Sequence, residues 1–350
     1  MRLVALSVKN VRTHKAVRVQ FNDSVTLITG KNGSGKTTLL EAIHIALRGK
    51  SFKAADDAIV RRASNWYRID LATSEGDRTT VYDVRTERKK KTHTIDAKPH
   101  LRMPERLKYP VVLFEPDDLL MIAGSPARRR RYMDTIITQY NSQYSRILHR
   151  YERALLQRNK LLKRPGHTSD ELFAWNVALS RYGAEIVAAR QELVAQLSSS
   201  AQATYQTIAS AQDVIELHYS RATPLSSQHL LAELEHSYER DRMIGSTSVG
   251  PHRHDLEVLF NGSPASQTGS RGELRTITLA LKFIEAALVA EQTGRQPIIL
   301  LDDVFSELDS TRQKRLLSEF RDNQVIMTSV SSVSIVDGGT DMASHEILIG

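Results

Sequence analysis

The sequence predicts an α/β fold, in which a head with a mixed β-sheet and helices is interrupted by an inserted helical arm. Residues 30–37 match the phosphate-loop pattern G-x-x-x-x-G-K-[ST] directly after the apolar strand Val25–Thr29. Far along the chain, the apolar run at 298–301 ends in Asp302 and Asp303, and open α/β sheets present ligands at such strand ends. Helical periodicity between these two blocks predicts the arm.

The same patterns set the expected domain boundaries. We assign residues 1–125 to the first half of the head, 126–245 to the helical arm and 246–350 to the second half of the head. The first half consists mainly of strands, but apolar spacing after the phosphate loop predicts a helix from Lys36 to about Arg48. The expected strands are Val17–Phe21, Val25–Thr29, Tyr67–Ala72, Thr79–Arg85 and Val111–Phe114.

The arm is predicted to consist of two long antiparallel helices. Helical spacing runs from about Ala127 to Lys163 and, after a break at Pro165-Gly166, from about Asp170 to Ala211. Helices of roughly 35–40 residues extend about 50–60 Å, which is too short for a chromosome-scale coiled coil. A returning strand at Val214–His218, a helix at Ser227–Arg242 and a weakly patterned tail after Val330 follow.

Composition limits the class of protein. The 350 residues carry a formal charge of +8, which favours a polyanionic partner, although excess charge also serves solubility. Cysteine is absent, so disulfides and thiolate metal sites are excluded. No apolar run approaches the ~20 residues that span a bilayer, and the strand-like start does not resemble a signal peptide. We therefore expect a soluble, cytoplasmic protein.

The phosphate loop predicts bound ATP. Its glycines let the backbone turn tightly enough to direct N–H groups at phosphate oxygens, and the following helix adds the positive end of its dipole. Lys36 should neutralise the β- and γ-phosphates, and the Thr37 hydroxyl should ligate Mg²⁺. An accidental glycine turn is the alternative. The expected ATP-binding residues of the loop are Gly30, Lys31, Asn32, Gly33, Ser34, Gly35, Lys36, Thr37 and Thr38.

The two carboxylates at the strand end have separate expected roles. Asp302 is assigned to Mg²⁺, directly or through water, and Asp303 to positioning or polarising the attacking water. A pair of carboxylates capping a turn is the alternative interpretation. Arg12, in the turn after the first strand, either reaches the nucleotide or is an ordinary surface arginine.

Ser270-Arg271-Gly272-Glu273 opens a helix expected at Glu273–Glu291. Ser and Gly before a helix form an ordinary N-cap. In ABC-type ATPases, however, a segment of this kind before the acidic strand binds the γ-phosphate held by the opposite subunit. Ser270 and Gly272 are therefore expected at the interface of an ATP-dependent homodimer, with Ser306-Glu307-Leu308-Asp309 at the same interface.

Several further segments resemble the bacterial RecF recombination and repair family. They cover nearly the whole chain and are more specific than the phosphate loop: 10–14, 41–43, 115–119, 124–134, 151 with 158–162, and 250–255. The resemblance implies an ABC-type head with a helical lobe, slow ATP hydrolysis and ATP-dependent dimerisation on DNA. It also implies recombinase loading at gapped DNA with RecO and RecR mediators, in replication-fork recovery and the SOS response.

Departures from transporter ATPases agree with this resemblance. Glu115-Pro116 stands where transporters have a glutamine, Asp303 where they have glutamate, and no switch histidine lies near Thr328. The shorter Asp303 carboxylate makes a strong general base doubtful, and slow turnover would follow. A transporter subunit would also need a much shorter linker between its two motifs. A chromosome-organising SMC-like ATPase would need a longer arm, and no carboxylate cluster remains for a nuclease site.

Two basic runs and one histidine segment have open interpretations. Arg128–Arg131 begins a helix and either contacts phosphate backbone or forms buried ion pairs. The run 85–91 is expected to form the turn of a hairpin, either solvated or in contact with DNA. Few aromatics are interleaved, which favours sequence-independent backbone contacts. We expect His252 to have a structural role and assign none to Arg253.

Overall fold

The structure, a computed structural model, describes residues 1–85, 90–209, 212–305, 308–330, 336–337, 340–341 and 344–349. Its contacts divide the chain into two compact units. We call Met1–Leu119 with Ala286–Gly350 the sheet unit, and Leu120–Glu285 the helical unit. Among the described residues, no helix has the length and apolarity needed to cross a membrane.

The strands and helices have the following bounds. The strands are β1 (Leu3–Val11), β2 (His14–Gln20), β3 (Val25–Thr29), β4 (Trp66–Thr73), β5 (Gly76–Asp83), β6 (Lys90–Ile95), β7 (Lys98–His100), β8 (Val111–Phe114), β9 (Ile215–Tyr219), β10 (Leu256–Phe260), β11 (Ser263–Pro264), β12 (Ile298–Leu301), β13 (Val325–Ser329), β14 (Val336–Asp337), β15 (Thr340–Asp341) and β16 (Ser344–Leu348). The helices are α1 (Lys36–Arg48), α2 (Pro126–Tyr140), α3 (Ser142–Leu162), α4 (Ser169–Ala209), α5 (Ser227–His236), α6 (Tyr238–Ile244), α7 (Ala265–Thr268), α8 (Arg271–Thr293) and α9 (Ser310–Glu319).

The sheet unit contains two larger sheets around α1. One is antiparallel with the order β2-β1-β4-β5-β6-β7, and the other is parallel with the order β16-β3-β13-β12-β8. Apolar side chains of α1 form one buried cluster with residues of both sheets, among them Leu6, Ile69 and Leu300. The helix that follows the phosphate loop is therefore fixed on two sides. Its expected bounds, Lys36 to Arg48, are confirmed.

The helical unit differs from the predicted arm in its first half. A single helix from Ala127 to Lys163 is wrong, because the chain breaks at Asn141 between α2 and α3. The Asn141 backbone is extended and its side chain accepts a hydrogen bond from the Tyr144 N–H at 2.9 Å, so it caps α3. The helix predicted for Ser227–Arg242 likewise divides at Ser237 into α5 and α6.

The helical unit also extends beyond the predicted boundary at residue 245. β10 pairs with β9 in an antiparallel sheet, and Arg129 in α2 binds Asp255 through two hydrogen bonds of 2.9 and 2.6 Å. These contacts tie residues after 245 to the helices before them. The compact unit consequently ends at Glu285 rather than at 245.

Candidate functional site

The phosphate loop connects β3, whose five residues are all buried, to α1. Gly35 precedes α1 with φ of 97°, in the left-handed region that favours glycine. A Cβ there would lie 2.2 Å from Nε2 of His14, and one at Gly30 would lie 2.4 Å from the carbonyl oxygen of Ile349. Neither position accommodates a side chain, so the backbone itself forms the loop surface. Gly33 also has a positive φ, of 83°, but open space around it.

Lys36 and Ser34 give this loop the chemistry of an anion site. The Lys36 ammonium donates to the carbonyl oxygens of Gly30 at 2.8 Å and Lys31 at 3.3 Å, and the residue is 4% exposed. Among the described residues, the Ser34 hydroxyl is one of few buried side-chain groups without a hydrogen-bond partner. A buried hydroxyl of this kind is suited to a ligand oxygen. With the positive end of α1 beside it, the loop fits a phosphate group.

The remaining loop residues differ in their exposure. Lys31 and Asn32 are exposed on its outer side, whereas Thr38 is 5% exposed and buried in the first turn of α1. His14, which had no expected role in the site, lies 3.1 Å from the carbonyl oxygen of Gly35 through Nε2. It supports the point at which the loop becomes helix.

The two predicted metal ligands lie side by side. The Thr37 hydroxyl donates to Oδ1 of Asp302 at 2.6 Å, although the two residues are 265 positions apart in sequence. Asp302 follows β12 and is 3% exposed. Thr328 on β13 contacts the same oxygen at 3.2 Å, and the Lys53 ammonium lies 3.1 Å from Oδ2. Neither Thr328 nor Lys53 was identified from sequence as a member of this site.

These residues fit Mg²⁺ by the chemistry of their donors. Mg²⁺ in nucleotide sites takes one or two protein oxygens and completes its shell with water and phosphate oxygens. A hydroxyl and a carboxylate within hydrogen-bond distance provide such a pair. No group of three or more His, Asp or Glu side chains suited to a metal occurs in the described part of the chain, and a site shared with phosphate does not require one.

Asp303 stands beside Asp302 with a backbone φ of 52°, which is uncommon for a residue other than glycine. Its N–H donates to the Thr328 hydroxyl at 2.9 Å. Thr328 thus contacts both acidic residues and fixes the turn that follows β12. The role of Asp303 in orienting water stays a prediction.

Arg12 is anchored to the helix after the phosphate loop. It lies in a turn with φ of 46°, and its guanidinium donates to both carboxylate oxygens of Glu41 in α1, at 2.6 and 2.9 Å. Glu41 is fully buried. The hydrogen bond to Glu41 raises the pKa of Arg12. Ser51 donates to the same carboxylate and accepts the backbone N–H of Lys53 at 2.9 Å, so Glu41 holds Arg12 directly and the backbone of Lys53 through Ser51. A nucleotide contact by Arg12 stays a prediction.

The segment expected at a dimer interface lies in the helical unit. The Ser270 N–H donates to the Glu273 carboxylate at 2.6 Å and the Glu273 N–H donates to the Ser270 hydroxyl at 3.3 Å, which is a capping box. Ser270 and Arg271 are exposed and Gly272 is half-buried. This geometry satisfies the N-cap interpretation and leaves the interface role as a prediction. Ser306 and Glu307 lie outside the described residues, and Asp309 caps α9.

Part of each basic run is held in ion pairs. Arg129 binds Asp255, and Arg130 donates to the carbonyl oxygen of His254 at 2.9 Å, which supports the ion-pair interpretation for this part of the first run. Residues 86–89 of the second run lie outside the described residues. Flanking them, Arg85 pairs with Asp83, and Lys91 with Asp56 at 2.6 Å.

His252 and Arg253 have structural contacts. His252 lies 2.6 Å from the Tyr151 hydroxyl through Nδ1 and 3.0 Å from the carbonyl oxygen of Thr247 through Nε2. Arg253 donates to the same carbonyl oxygen at 2.9 and 3.1 Å. Both side chains therefore fix the turn around Gly250, as expected for His252.

Comparison with known proteins agrees with this architecture. A family model described as an AAA domain matches residues 5–214. The DNA replication and repair protein RecF of Natranaerobius thermophilus is 34% identical over 365 residues, covering 98% of this chain and 94% of the relative. RecF of Heliobacterium modesticaldum is 34% identical, covering 93% and 91% of the two chains.

Solved structures give the same result. The recombination mediator protein RecF with ATP, of the RecFOR pathway, matches with a TM-score of 0.84 and 29% identity over 96% of this chain and 93% of that chain. An Smc head domain from Pyrococcus furiosus matches with a TM-score of 0.51 and 15% identity over 94% and 90%, which shows a shared fold alone. The expected P-loop ATPase head is confirmed. Since both the curated relatives and the solved RecF structure match along nearly their whole length, the chain belongs to the RecF family of DNA replication and repair proteins.

Proposed function

We propose that this chain is an ATP-dependent DNA-binding protein of recombinational repair and replication-fork recovery. The observation that carries the proposal is the 2.6 Å contact between the Thr37 hydroxyl and the Asp302 carboxylate at the foot of a complete phosphate loop. Membership of the RecF family and the similarity to a solved structure of RecF with ATP support the proposal. The residues therefore fit an ATP and Mg²⁺ site.

The placement of the residues supports the following roles. The backbone of the loop and Lys36 hold the phosphates, while Thr37 and Asp302 hold Mg²⁺. When bound, Mg²⁺ neutralises phosphate charge that develops during phosphoryl transfer. Asp303 orients water, and its carboxylate, which is shorter than that of a glutamate, favours slow hydrolysis. ATP hydrolysis would then act as a switch rather than as a source of product.

The proposed switch is dimerisation. Ser270 and Gly272 of one subunit would contact the γ-phosphate held by the other, so that ATP joins two copies on DNA. The bound dimer would help RecR- and RecO-type mediators load recombinase at gapped DNA, in the cytoplasm at the nucleoid. The similarity to solved structures of the recombination mediator RecF of the RecFOR pathway supports this part of the proposal.

Light scattering tests the switch. We expect a dimer with ATP and Mg²⁺, enhanced by a gapped duplex, and a monomer with ADP. Ser270→Arg should bind nucleotide and remain monomeric, whereas Ser200→Arg, at an exposed position of α4, should dimerise normally. Because Ser270 caps α8 and its loss costs about 1 kcal/mol, thermal unfolding with ADP verifies that the variant is folded. Normal ATP-driven dimers of Ser270→Arg contradict the interface, and a wild-type monomer under every condition contradicts the switch.

A further inference from the structure

The exposed face of α3 carries a row of positive charges. We define the α3 row as Arg146, Arg150, Arg153 and Lys160, all of which are exposed. Seven residues advance an α-helix by 20° less than two full turns, so residues 146, 153 and 160 lie within about 40° of one another. Arg150 extends this face to about 80°. The buried residues of α3 lie on the other side. The row is therefore a continuous ridge about 21 Å long.

Helix stability does not explain the row. Arg146 and Arg150 are separated by four positions, and Arg150 and Arg153 by three, so like charges face each other along the helix and destabilise it. Glu152 is the one acidic residue in the sequence of α3, and it neighbours Arg153 in sequence, a spacing at which side chains do not face each other. A helix under selection for stability alone would place acids between these cations.

Several other arginines of the helical unit have acidic partners. Arg158 pairs with Asp241 at 2.7 Å and Arg190 with Asp134 at 2.9 Å, both in buried positions. Arginines nearer the surface have acidic partners as well, including the exposed Arg164 with Glu171 and the half-buried Arg221 with Glu233.

In the part of the chain that the structure describes, Arg146, Arg153 and Lys160 have no ion pair. Arg150 lies with its guanidinium 6.0 Å from the centre of the Tyr182 ring, an aromatic contact that leaves its charge unneutralised. The α3 row is thus a run of cations that the fold neither buries nor pairs with acids.

We propose that the α3 row binds the phosphate backbone of duplex DNA. Duplex DNA offers one negative charge per about 1.7 Å of its axis, so a 21 Å ridge of cations has several phosphates within reach. His149 and Gln157, which lie on or beside this face, are polar, and the exposed Leu156 lies at the edge of the face rather than at its centre. A protein partner would require an apolar centre to its interface, which favours nucleic acid over an acidic protein. The inference rests on the proposed binding of DNA and gives it a location.

Neutralising the row tests the proposal. The triple variant Arg146→Gln, Arg153→Gln, Lys160→Gln retains helix-forming residues. A matched control, Arg62→Gln, Lys98→Gln, Arg106→Gln, removes the same charge from exposed positions of the sheet unit. Fluorescence polarisation with a labelled duplex, titrated with salt, gives the slope of log affinity against log salt. We expect the row variant to bind more weakly, with a slope shallower by about 2.7, since each phosphate contact contributes about 0.9. The control should match wild type, and ADP affinity should be unchanged in both.

The outcomes separate this inference from the proposed function. If wild type binds DNA and the row variant keeps its affinity and slope, or if the control loses as much, the row is not the DNA surface. If wild type binds no DNA with ATP, ADP or neither, the proposed function fails and this inference with it. Polyglutamate serves as a second probe. Loss of polyglutamate binding with unchanged DNA binding would assign the row to an acidic protein and overturn the proposal.

Discussion

Removing the carboxylate of Asp241 tests how the helical unit is held together. Asp241 and Arg158 are both fully buried and lie 2.7 Å apart. Oδ1 of Asp241 also accepts two hydrogen bonds from Ser248, at 2.9 and 2.6 Å, and Oδ2 accepts one from Ser237 at 3.0 Å. Asp241→Ala leaves a buried guanidinium without its counter-charge, which costs about 3–5 kcal/mol. Replacing both partners, as in Arg158→Met with Asp241→Leu, leaves no unpaired buried charge and should restore most of that stability.

The two tryptophans allow the helical unit to be observed by itself. Trp66 lies in the sheet unit and Trp175 in α4, so Trp66→Phe leaves a fluorescence signal from the helical unit alone. In that background we expect urea titration of Asp241→Ala to show a free energy of unfolding lower by about 3–5 kcal/mol. Glu235→Ala, at an exposed position of α5, should change it by less than about 0.5 kcal/mol. A loss below about 1 kcal/mol, or a double variant no more stable than the single one, would refute the reasoning.

Two further predictions follow from the loop and from a buried histidine. Gly35→Ala places a Cβ 2.2 Å from Nε2 of His14 at a φ of 97°, so it should destabilise the sheet unit by about 1–3 kcal/mol and weaken ADP binding. The control is Gly262→Ala, where φ is 78° and the space around the residue is open. Equal ADP affinity in the two variants would contradict the steric argument. Burial lowers the pKa of His252 to about 4 from 6.5. Because the unfolded chain binds this proton and the folded one does not, the helical unit should lose up to about 3 kcal/mol as pH falls from about 6.5 to about 4. His252→Gln should flatten that dependence in urea titrations of the Trp66→Phe background, and an unchanged pH slope would show that other groups cause it.

The sequence predicted those parts of the site that depend on local pattern. Lys36 and Thr37 belong to a contiguous motif, and Asp302 ends an apolar strand, so each could be assigned without knowing its neighbours. Their contact confirms that the two motifs meet. Lys53 had no such signal. A lone lysine after a helix becomes part of the site because the fold brings it 3.1 Å from Asp302, 249 residues away in sequence.

The predicted helix boundaries were wrong where a side-chain hydrogen bond interrupted a helical sequence pattern. Apolar spacing continues across Asn141, with Ile137 before it and Tyr144 after it, and this masked the break. The Asn141 side chain captures the Tyr144 N–H and starts a new helix instead. β16 was missed for a different reason. Its residues, Ser-His-Glu-Ile-Leu, have no strand pattern of their own, and they form a strand because β3 offers them an edge.

The position of β3 between β13 and β16 determines the order in which parts of the protein can fold during synthesis. Val25 lies opposite both Val325 and Ser344, so the strand that carries the phosphate loop acquires its two neighbours about 300 residues after it is made. At a translation rate of roughly 5–20 residues per second, synthesis of these residues takes about 15–60 s, during which β3 lacks both neighbouring strands. The helical unit, drawn from the continuous stretch Leu120–Glu285, is complete well before that. We therefore expect a nascent chain to complete its helical unit before its parallel sheet and to gain the capacity to bind nucleotide last.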